Sequence, residues 1–530
     1  MKKHNFQLCL LILTILTLIY IYRRITTKPK YTVAATLVGG LGNNLFTIAS
    51  VYAFARINKC NFAIYGDPQH NPHTKQNYNK TVFSKIKLIT DTLEVKVIPE
   101  IYKNNNEELN KLLPINQDLA IHGLFQNFNH FHSYRQELKS LLSLPEVPRK
   151  KEYAQDFFIH VRMGDFLSSS IHNINLDIYY TNAYKKLEEI LGYKPVLVLY
   201  SDNIPDAINY LNKLGIPSKE RTRGDELTEF SELMCYKGGI HGHSTFAWWA
   251  GYLNDAKNKT IIIPNIYLNE NHNFSGFYYD GAIIRNTSYP ITRKIYFLSF
   301  GGPTQAYHEA LKRIGRQANN FGIFYELVLI KDTDLDREFW NKHRRFVKSN
   351  SRGFGYWIWK SYINLKLINR INDNDIVVYA DSGCEMNYLD SNKMTEYLNY
   401  VEEHDLLSFQ LHYVEKEWTK MDLFERLKNK YNCSKDILES GQLHATSFIY
   451  KKTPQITNMI REWYDICSDY HMIDDSPSII PNDPIFREHR HDQSIFSLLR
   501  KINNIGKVIN DESVAILMNR NRTGISKLGL

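Results

Sequence analysis

The hydrophobic positions of this chain fall into two kinds of run. The first is a single long one. Phe6 through Tyr22 is almost continuously apolar, with Lys2 and Lys3 before it and Arg23 and Arg24 after it. It falls slightly short of the roughly 20 residues that span a bilayer. No small-x-small cleavage pattern follows, and Arg23-Arg24 stands where cleavage would fall. An uncleaved single-pass anchor is therefore expected in preference to a signal peptide. Positive residues on both flanks leave its orientation open.

The second kind is short and recurrent. Asp156–Val161, Leu197–Tyr200, Lys294–Phe300, Glu326–Leu329 and Asp375–Ala380 are apolar, rich in β-branched and aromatic residues, and closed by polar or glycine positions. They read as buried strands. Helical patterns lie among them, one after the turn at Gly39–Gly42 and one over Tyr307–Ala318. Strands alternating with helices predict an α/β fold with parallel sheets. No repeat of 20–50 residues is present, which excludes a solenoid. The polar stretch Asn286-Thr287-Ser288-Tyr289-Pro290 precedes the strand at Lys294. That restart predicts a boundary, giving an anchor and stem over 1–30, one domain over 31–290 and another over 291–530.

Chemistry concentrates at the strand ends, where open α/β sheets bind ligands. His160-Val161-Arg162-Met163-Gly164-Asp165-Phe166 runs from a buried strand into a polar loop. The planar fork of an arginine can bond two phosphate oxygens at once. An Arg–Asp surface pair capping the strand is the plainer reading. Leu37-Val38-Gly39-Gly40-Leu41-Gly42-Asn43-Asn44 joins a strand to a helix. Its glycines let backbone approach a ligand at a helix amino end, which favours phosphate. The turn lacks the G-x-G-x-x-G spacing of dinucleotide sites, so an NAD site is rejected. In Ser244-Thr245-Phe246-Ala247-Trp248-Trp249, the hydroxyls can donate to phosphate; a helix cap followed by core tryptophans is the alternative.

Taken in order, these segments resemble the α-1,2-fucosyltransferases of glycosyltransferase family 11. That family carries G-G-L-G-N-Q-x-F, then H-x-R-R-G-D-Y, then N-S-T-F-S-W-W. Tyr180 before a helix, Leu197-Val198-Leu199-Tyr200-Ser201-Asp202-Asn203 and Glu232-Leu233-Met234-Cys235 extend the match, which covers roughly residues 31–290. The resemblance implies a GT-B-like double Rossmann module that uses GDP-fucose and a glycan acceptor and needs no metal. It assigns Arg162 to the donor diphosphate, with Ser244 and Thr245 beside it and Gly40, Gly42 and Asn43 lining the cleft. Asp202 bonds guanine or ribose, or else caps the core. Asp165 or His160 assists proton removal from the acceptor, or maintains the loop. The sequence identifies no general base. Met163 stands in place of the second arginine, Phe166 of the tyrosine, His243 of the asparagine before Ser-Thr, and Asn44 of the glutamine. Methionine cannot hydrogen-bond to phosphate as arginine does, which puts donor strength or donor choice in question.

In the carboxyl-terminal half, Gly353-Phe354-Gly355-Tyr356-Trp357-Ile358-Trp359-Lys360 sets aromatics around two glycines. Trp357 offers a stacking wall for a sugar or base, or simply core packing at a helix start. The strand Asp375–Ala380 ends in Asp381-Ser382-Gly383-Cys384-Glu385, and His489-Arg490-His491-Asp492-Gln493-Ser494 leads into a helix. This layout, over about 293–510, resembles a set of GT-A-like proteins of polysaccharide gene clusters. GT-A enzymes place a D-x-D at that strand end to hold Mn²⁺ or Mg²⁺, for which hard oxygen ligands are suited. Here Asp381 alone is in position. Gly383 takes the second place and Glu385 lies two further on. Asp492 caps its helix or faces Asp381 as a second carboxylate.

The whole is read as a membrane-anchored fusion of two glycosyltransferases, a GT-B-like module followed by a GT-A-like one. The first transfers L-fucose from GDP-fucose to a sugar hydroxyl, in α-1,2 linkage to galactose. Another nucleotide-sugar donor, or an inactive glycan-binding scaffold, is the alternative. Length fits two or three domains. A net charge of +9 and a pI near 8.9 suit an anionic nucleotide sugar or a membrane surface. No basic tract with interleaved aromatics points to nucleic acid. The six cysteines are scattered without a C-x-x-C pair, which excludes a zinc framework and leaves one or two disulfides open. Sequons at Asn79, Asn258, Asn273, Asn286, Asn432 and Asn521 are matched by chance in an Asn-rich chain.

Overall fold

The computed structural model describes residues 29–66, 77–98, 109–147, 153, 155–164, 166, 169–221, 224–268, 274–510 and 514–528. The apolar stretch Phe6–Tyr22 and Asp165 lie outside the described residues. Among those described, no helix is long and apolar enough to cross a membrane.

Three sheets carry the fold, and the chain divides into two compact units. The first unit holds residues up to Gln155 together with Thr222–Lys237 and Ser244–Lys259. Its sheet has the order β3-β2-β1-β5-β4, from β1 (Thr32–Thr36), β2 (Asn61–Tyr65), β3 (Leu88–Ile89), β4 (Glu94–Val97) and β5 (Leu119–His122). All four pairings are parallel. Helix α1 (Leu41–Ile57) follows β1 and is buried over most of its length, as a helix that is apolar all round must be.

The second unit holds two large sheets and a separate two-stranded one. The first has the order β11-β10-β9-β6-β7-β8, from β6 (Phe157–Val161), β7 (Leu197–Ser201), β8 (Ser218–Glu220), β9 (Gly238–Ile240), β10 (Thr260–Pro264) and β11 (Ala282–Arg285). It too is wholly parallel. Helix α2 (Asp177–Leu191) packs on it, and Tyr180 lies inside that helix rather than ahead of it. Helix α3 (Thr245–Leu253) follows β9 in sequence and belongs to the first unit, where Phe46 of α1 meets Trp248 and Trp249 at centroid distances of 4.7 and 5.2 Å. The core reading of these tryptophans is correct.

The last sheet is mixed. β12 (Ile295–Gly301) lies between β13 (Glu326–Lys331) and β14 (Ile376–Ala380), both parallel to it. A short β15 (Glu385–Met386) follows the β14 turn. β16 (Leu406–Val414), β17 (Gly441–Leu443) and β18 (Ser447–Lys451) extend the sheet by antiparallel pairing, with β18 against β14. β19 (Lys507–Asn510) runs parallel beside β16, and β20 (Ile516–Leu517) pairs with β15. Helix α4 (Gln305–Asn320) covers β12 and β13, two residues longer at each end than the periodicity suggests.

The stretch Asn286–Pro290 is a buried seam and not a solvated linker. The Asn182 amide donates to the carbonyls of Asn286 and Tyr289 and accepts from Ile291 N–H. The Asn286 amide donates to Phe321 O at 3.0 Å. Asn286 and Asn521 are buried and hydrogen-bonded, so these two sequons are structural. Among the described residues, the five cysteines form no disulfide with one another.

Seven described histidines are held well below the ordinary imidazole range by burial. His130, His160, His243, His343 and His491 are pulled to about 4, and His444 and His489 to about 3. Above pH 6.5 both folded and unfolded forms are neutral. Below it the unfolded chain takes up protons that the fold refuses, so stability falls as pH drops from 6.5 toward 4. Calorimetry is expected to show Tm lower at pH 5 than at pH 7 by at least about 5 °C. A flat Tm across that interval would contradict the buried neutral assignment.

Candidate functional site

Two of the chemistry-bearing loops follow strands at which strand order reverses. β1 has β2 on one side and β5 on the other, and β6 has β7 on one side and β9 on the other. At such a strand the connections leave in opposite directions, and a crevice opens at its carboxyl end.

In the first unit, β1 ends at Thr36 and Gly39 turns the chain with φ +81°. Gly40 starts α1 in an extended conformation, with no side chain capping the helix. A Cβ added to Gly42 would stand 2.4 Å from the carbonyl carbon of Thr245 and 2.5 Å from Phe246 N. Only glycine lets the first turn of α1 lie directly on the first turn of α3. The Asn43 carboxamide oxygen ties the two, accepting from Thr245 Oγ1 at 3.1 Å and Gln126 Nε2 at 2.9 Å. Ser244 stands at the start of α3 but its hydroxyl makes no cap bond. Two helix amino ends thus meet without side-chain caps. Each carries about half a positive charge and outward N–H groups, the arrangement that receives phosphate.

In the second unit, β6 delivers His160, Val161 and Arg162 in succession. Arg162 Nε pairs with Asp202 Oδ2 at 3.1 Å, and its guanidinium lies 5.1 Å from the Phe166 ring centroid. Asp202, at the end of β7, also accepts Met163 N–H at 2.8 Å and Gly164 N–H at 3.0 Å. A Cβ at Gly164 would meet Asp202 Oδ2 at 2.5 Å. Asp202 therefore positions the arginine and its loop. Met163 packs against the apolar cluster beneath β6, which accounts for an apolar residue there. His160 is buried, its carbonyl accepts from Tyr180 OH at 2.9 Å, and burial keeps its ring neutral to about pH 4. A ring so enclosed suits the loop-maintaining alternative. His243 is likewise buried and bonded to His172 O at 2.8 Å.

A second cluster lies in the mixed sheet. Helix α5 (Ile358–Arg370) carries Lys360 in its first turn, with the side chain 4 % exposed. Lys360 Nζ lies 3.1 Å from Asp381 Oδ1, 3.5 Å from Asp492 Oδ2 and 3.0 Å from Ala445 O. Tyr379 OH donates to Asp381 Oδ1 at 2.5 Å. Burial pulls the ammonium down, but the two carboxylates outweigh it and leave it raised. Burial pushes Asp492 up to about 7 against the pull of Lys360. Asp492 is the second residue of helix α6 (His491–Ile502), whose cap position is Arg490, so the capping expectation is not met. Asp381 and Asp492 do share one partner.

The loop before α5 is left-handed throughout. Gly353, Phe354, Gly355, Tyr356 and Trp357 have φ of +59°, +56°, +81°, +50° and +61°. Each aromatic residue in that region costs roughly 1–2 kcal/mol. Packing holds them: Phe354 stacks toward Phe300, and Trp357 stacks on His491 at 5.3 Å. Trp357 remains half-buried. Strain of this kind collects at working sites.

Glu385 is not a partner of Asp381. It is fully buried and accepts from Asn519, Asn521, Gln317, Ser526 and the Lys527 N–H. Burial works to raise it, but these donors hold it at about 2. Among the described residues no group of three acidic, histidine or cysteine side chains is placed to hold a metal. Sequence reasoning missed Lys360 and Tyr379. A lysine after a tryptophan at a helix start carries no spacing signal that marks it as buried.

The match with known proteins now has its geometry. A model of glycosyl transferase family 11 covers residues 5–280. The chain belongs to glycosyl transferase family 11. It is therefore a glycosyltransferase over that part, and the region beyond residue 280 rests on its own geometry. The O-antigen biosynthesis glycosyltransferase WbnK of Escherichia coli is 22% identical over 280 residues, 43% of this chain and 92% of its own. An alpha-1,2-colitosyltransferase of Escherichia coli is 23% identical over 264 residues, 44% of this chain and 91% of its own. Among solved structures, fucosyltransferase NodZ from Bradyrhizobium is 14% identical with a TM-score of 0.29, covering 42% of this chain and 92% of NodZ. Mouse xyloside xylosyltransferase 1 is 9% identical with a TM-score of 0.25, covering 42% and 85%. Scores this low decide nothing about the fold.

The two glycines of the family's first motif separate cleanly by substitution. Gly40→Ala meets nothing within 4 Å and is expected to stay within about 1 kcal/mol of the parent. Gly42→Ala forces α3 off α1 and is expected to cost about 1–3 kcal/mol. Denaturant titration of the two variants checks the contrast, and equal stabilities would refute the close contact.

Proposed function

We propose that the family 11 module transfers L-fucose from GDP-fucose to a sugar hydroxyl, in α-1,2 linkage to galactose and with inversion. The observation that carries this reading is the pair of uncapped helix amino ends joined at Gly42 and Thr245. Such an end receives a diphosphate through backbone N–H groups and needs no bound cation. In the reaction the bond from the sugar C1 to the diphosphate oxygen breaks, and its electron pair leaves with GDP. A new bond forms from C1 to the acceptor oxygen, and the acceptor proton departs to a base. The transition state has oxocarbenium character, so charge builds on the leaving diphosphate. Arg162 is assigned to that charge, and Ser244 and Thr245 to the same diphosphate. Asp202 holds the arginine rather than the nucleotide. In this reading the first module is a GT-B-like glycosyltransferase over 31–290, anchored through residues 1–30.

A second reading keeps the reaction and changes the donor. Met163 stands where the family has a second arginine, and one relative is named as a colitosyltransferase. A colitosyl donor is therefore tested beside the fucosyl one. The region over 291–530 is proposed as a second, GT-A-like glycosyltransferase acting on the same glycan. Tethering would raise the effective concentration of the first product at the second site.

The deciding experiment incubates the full chain with GDP-fucose and galactose-ended acceptors in EDTA, following GDP release and product mass. Fucosylated product is expected at a rate unchanged by the chelator. Arg162→Ala is expected to lower kcat about 10²- to 10³-fold, the usual cost of removing one charge-stabilising donor. Product from a colitosyl donor alone would move the assignment to that donor. Glycan binding without turnover of any nucleotide sugar would establish a binding protein instead.

A further inference from the structure

A strand-end aspartate in a module of this layout is expected to hold a divalent cation, and the donor set here does not fit one. The first carboxylate, Asp381, already bonds the Lys360 ammonium at 3.1 Å and the Tyr379 hydroxyl at 2.5 Å. The place of a second carboxylate is Gly383, and Asn521 N–H is bonded to the Gly383 carbonyl at 2.7 Å. Glu385, the next acid along, is enclosed by its own five donors. A divalent ion bonded to Asp381 would share that carboxylate with a buried ammonium of the same sign, whose Nζ lies 3.1 Å from Asp381 Oδ1, in a region where charges are poorly screened.

We infer that this second centre works without a metal: Lys360 is built in where the ion would stand, and Asp381 receives the proton of a sugar hydroxyl. The inference rests on the proposal that the carboxyl-terminal module is a glycosyltransferase. Three observations carry it. Lys360 is anchored by Asp381, Asp492 and Ala445 O, so its charge is fixed in direction and cannot swing to solvent. Asp381 is the one member of the cluster that reaches the surface, with its side chain 28 % exposed against 5 % for Asp492 and 4 % for Lys360. The strained turn Gly353–Trp357 ends directly before α5 and leaves the Trp357 ring half-buried on His491, next to Asp492. The half-exposed indole face suits a sugar ring, and a carboxylate suits its hydroxyls.

The substrate class is thus a saccharide acceptor together with a nucleotide sugar. In the step, the acceptor hydroxyl gives its proton to Asp381 as its oxygen bonds to the donor C1. The bond from C1 to the diphosphate breaks, and its electron pair leaves with the nucleotide. Asp381 is the catalytic residue. Lys360 is a positioning residue that orients Asp381, and Asp492 holds Lys360 from behind.

The test uses the full chain carrying Arg162→Ala, which lowers the first module about 10²- to 10³-fold; product is scored for the second centre only where Asp381→Asn abolishes it. A panel of nucleotide sugars and oligosaccharide acceptors is assayed with EDTA and with Mn²⁺, reading nucleotide release and product mass. Equal rates in the two conditions support the inference. Product that disappears in EDTA and returns with Mn²⁺ overturns it while leaving the second transferase standing. No product from any donor in either condition overturns the transferase reading and the inference with it. Binding is read separately by paramagnetic resonance of Mn²⁺ added to the unsubstituted chain. No bound ion that is lost on Asp381→Asn is expected, and such an ion would refute the proposal. Lys360→Arg is expected to retain product with a shifted acid limb in its pH profile, and Lys360→Met to lose at least 100-fold. If Lys360→Met does not fold, the resonance measurement and the chelator comparison still decide. Full activity in a folded Lys360→Met chain overturns the role of the lysine.

Discussion

Reversal of strand order is the constraint from which the sites of the family 11 module follow. A parallel strand with its successor on one side and a later strand on the other sends its flanking connections apart, and the gap falls at its carboxyl end. β1 meets this condition and leads into Gly39–Gly42. β6 meets it and leads into Arg162. β12 meets it between β13 and β14; Asp381 follows the neighbouring strand β14, which is flanked by β12 and the antiparallel β18 and does not itself meet it. Backbone topology thus decides where polar groups can stand at the edge of a buried sheet. Residue choice decides what those groups do.

On the proposed readings the two halves meet the same electrostatic demand by different means. The first unit uses main-chain dipoles, brought together because Gly42 has no side chain and Asn43 bonds across to Thr245. Dipoles of this kind need no counter-charge and carry little desolvation cost when empty. The carboxyl-terminal module instead buries a whole ammonium. Such a charge is stable only with close partners, and Asp381 and Asp492 supply them. The price is that neither carboxylate is available to a cation.

Much of this was legible in the sequence. The strands at 157–161, 197–201, 295–301 and 376–380 are short apolar runs of strand composition, and local pattern locates them to within a residue. Gly42 and Arg162 stand out only in company with the other motifs, because a glycine-rich turn and a strand-end Arg–Asp pair each have a plainer use, and Arg162 does pair with Asp202. The role of Asp202 was not legible, because it depends on β7 lying beside β6, a contact 40 residues distant in sequence. His160 is ambiguous in sequence for a related reason: a histidine next to a strand end is a base or a core residue according to which side of the sheet it faces. Lys360 was invisible, since lysine is normally solvated and only the pairing of α5 with two distant loops makes it a buried cation. The left-handed turn was hidden as well, because Phe354, Tyr356 and Trp357 have no sequence preference for positive φ.

That turn bears on how the buried ammonium is held. Left to local preference, Gly353–Trp357 would relax toward right-handed geometry and carry the start of α5 with it. Stacking of Trp359 on Phe300 at 3.9 Å, of Phe354 toward the same ring, and of Trp357 on His491 opposes the relaxation. The Trp359 indole N–H also bonds back to Gly353 O at 3.0 Å. Since Lys360 is the next residue, every contact that keeps the turn left-handed also fixes the direction in which the ammonium points. A strained segment beside a buried charge is costly twice over, in backbone and in desolvation. Such a pair persists only where the rest of the fold over-determines it, and the aromatic packing on both faces of the turn supplies that excess.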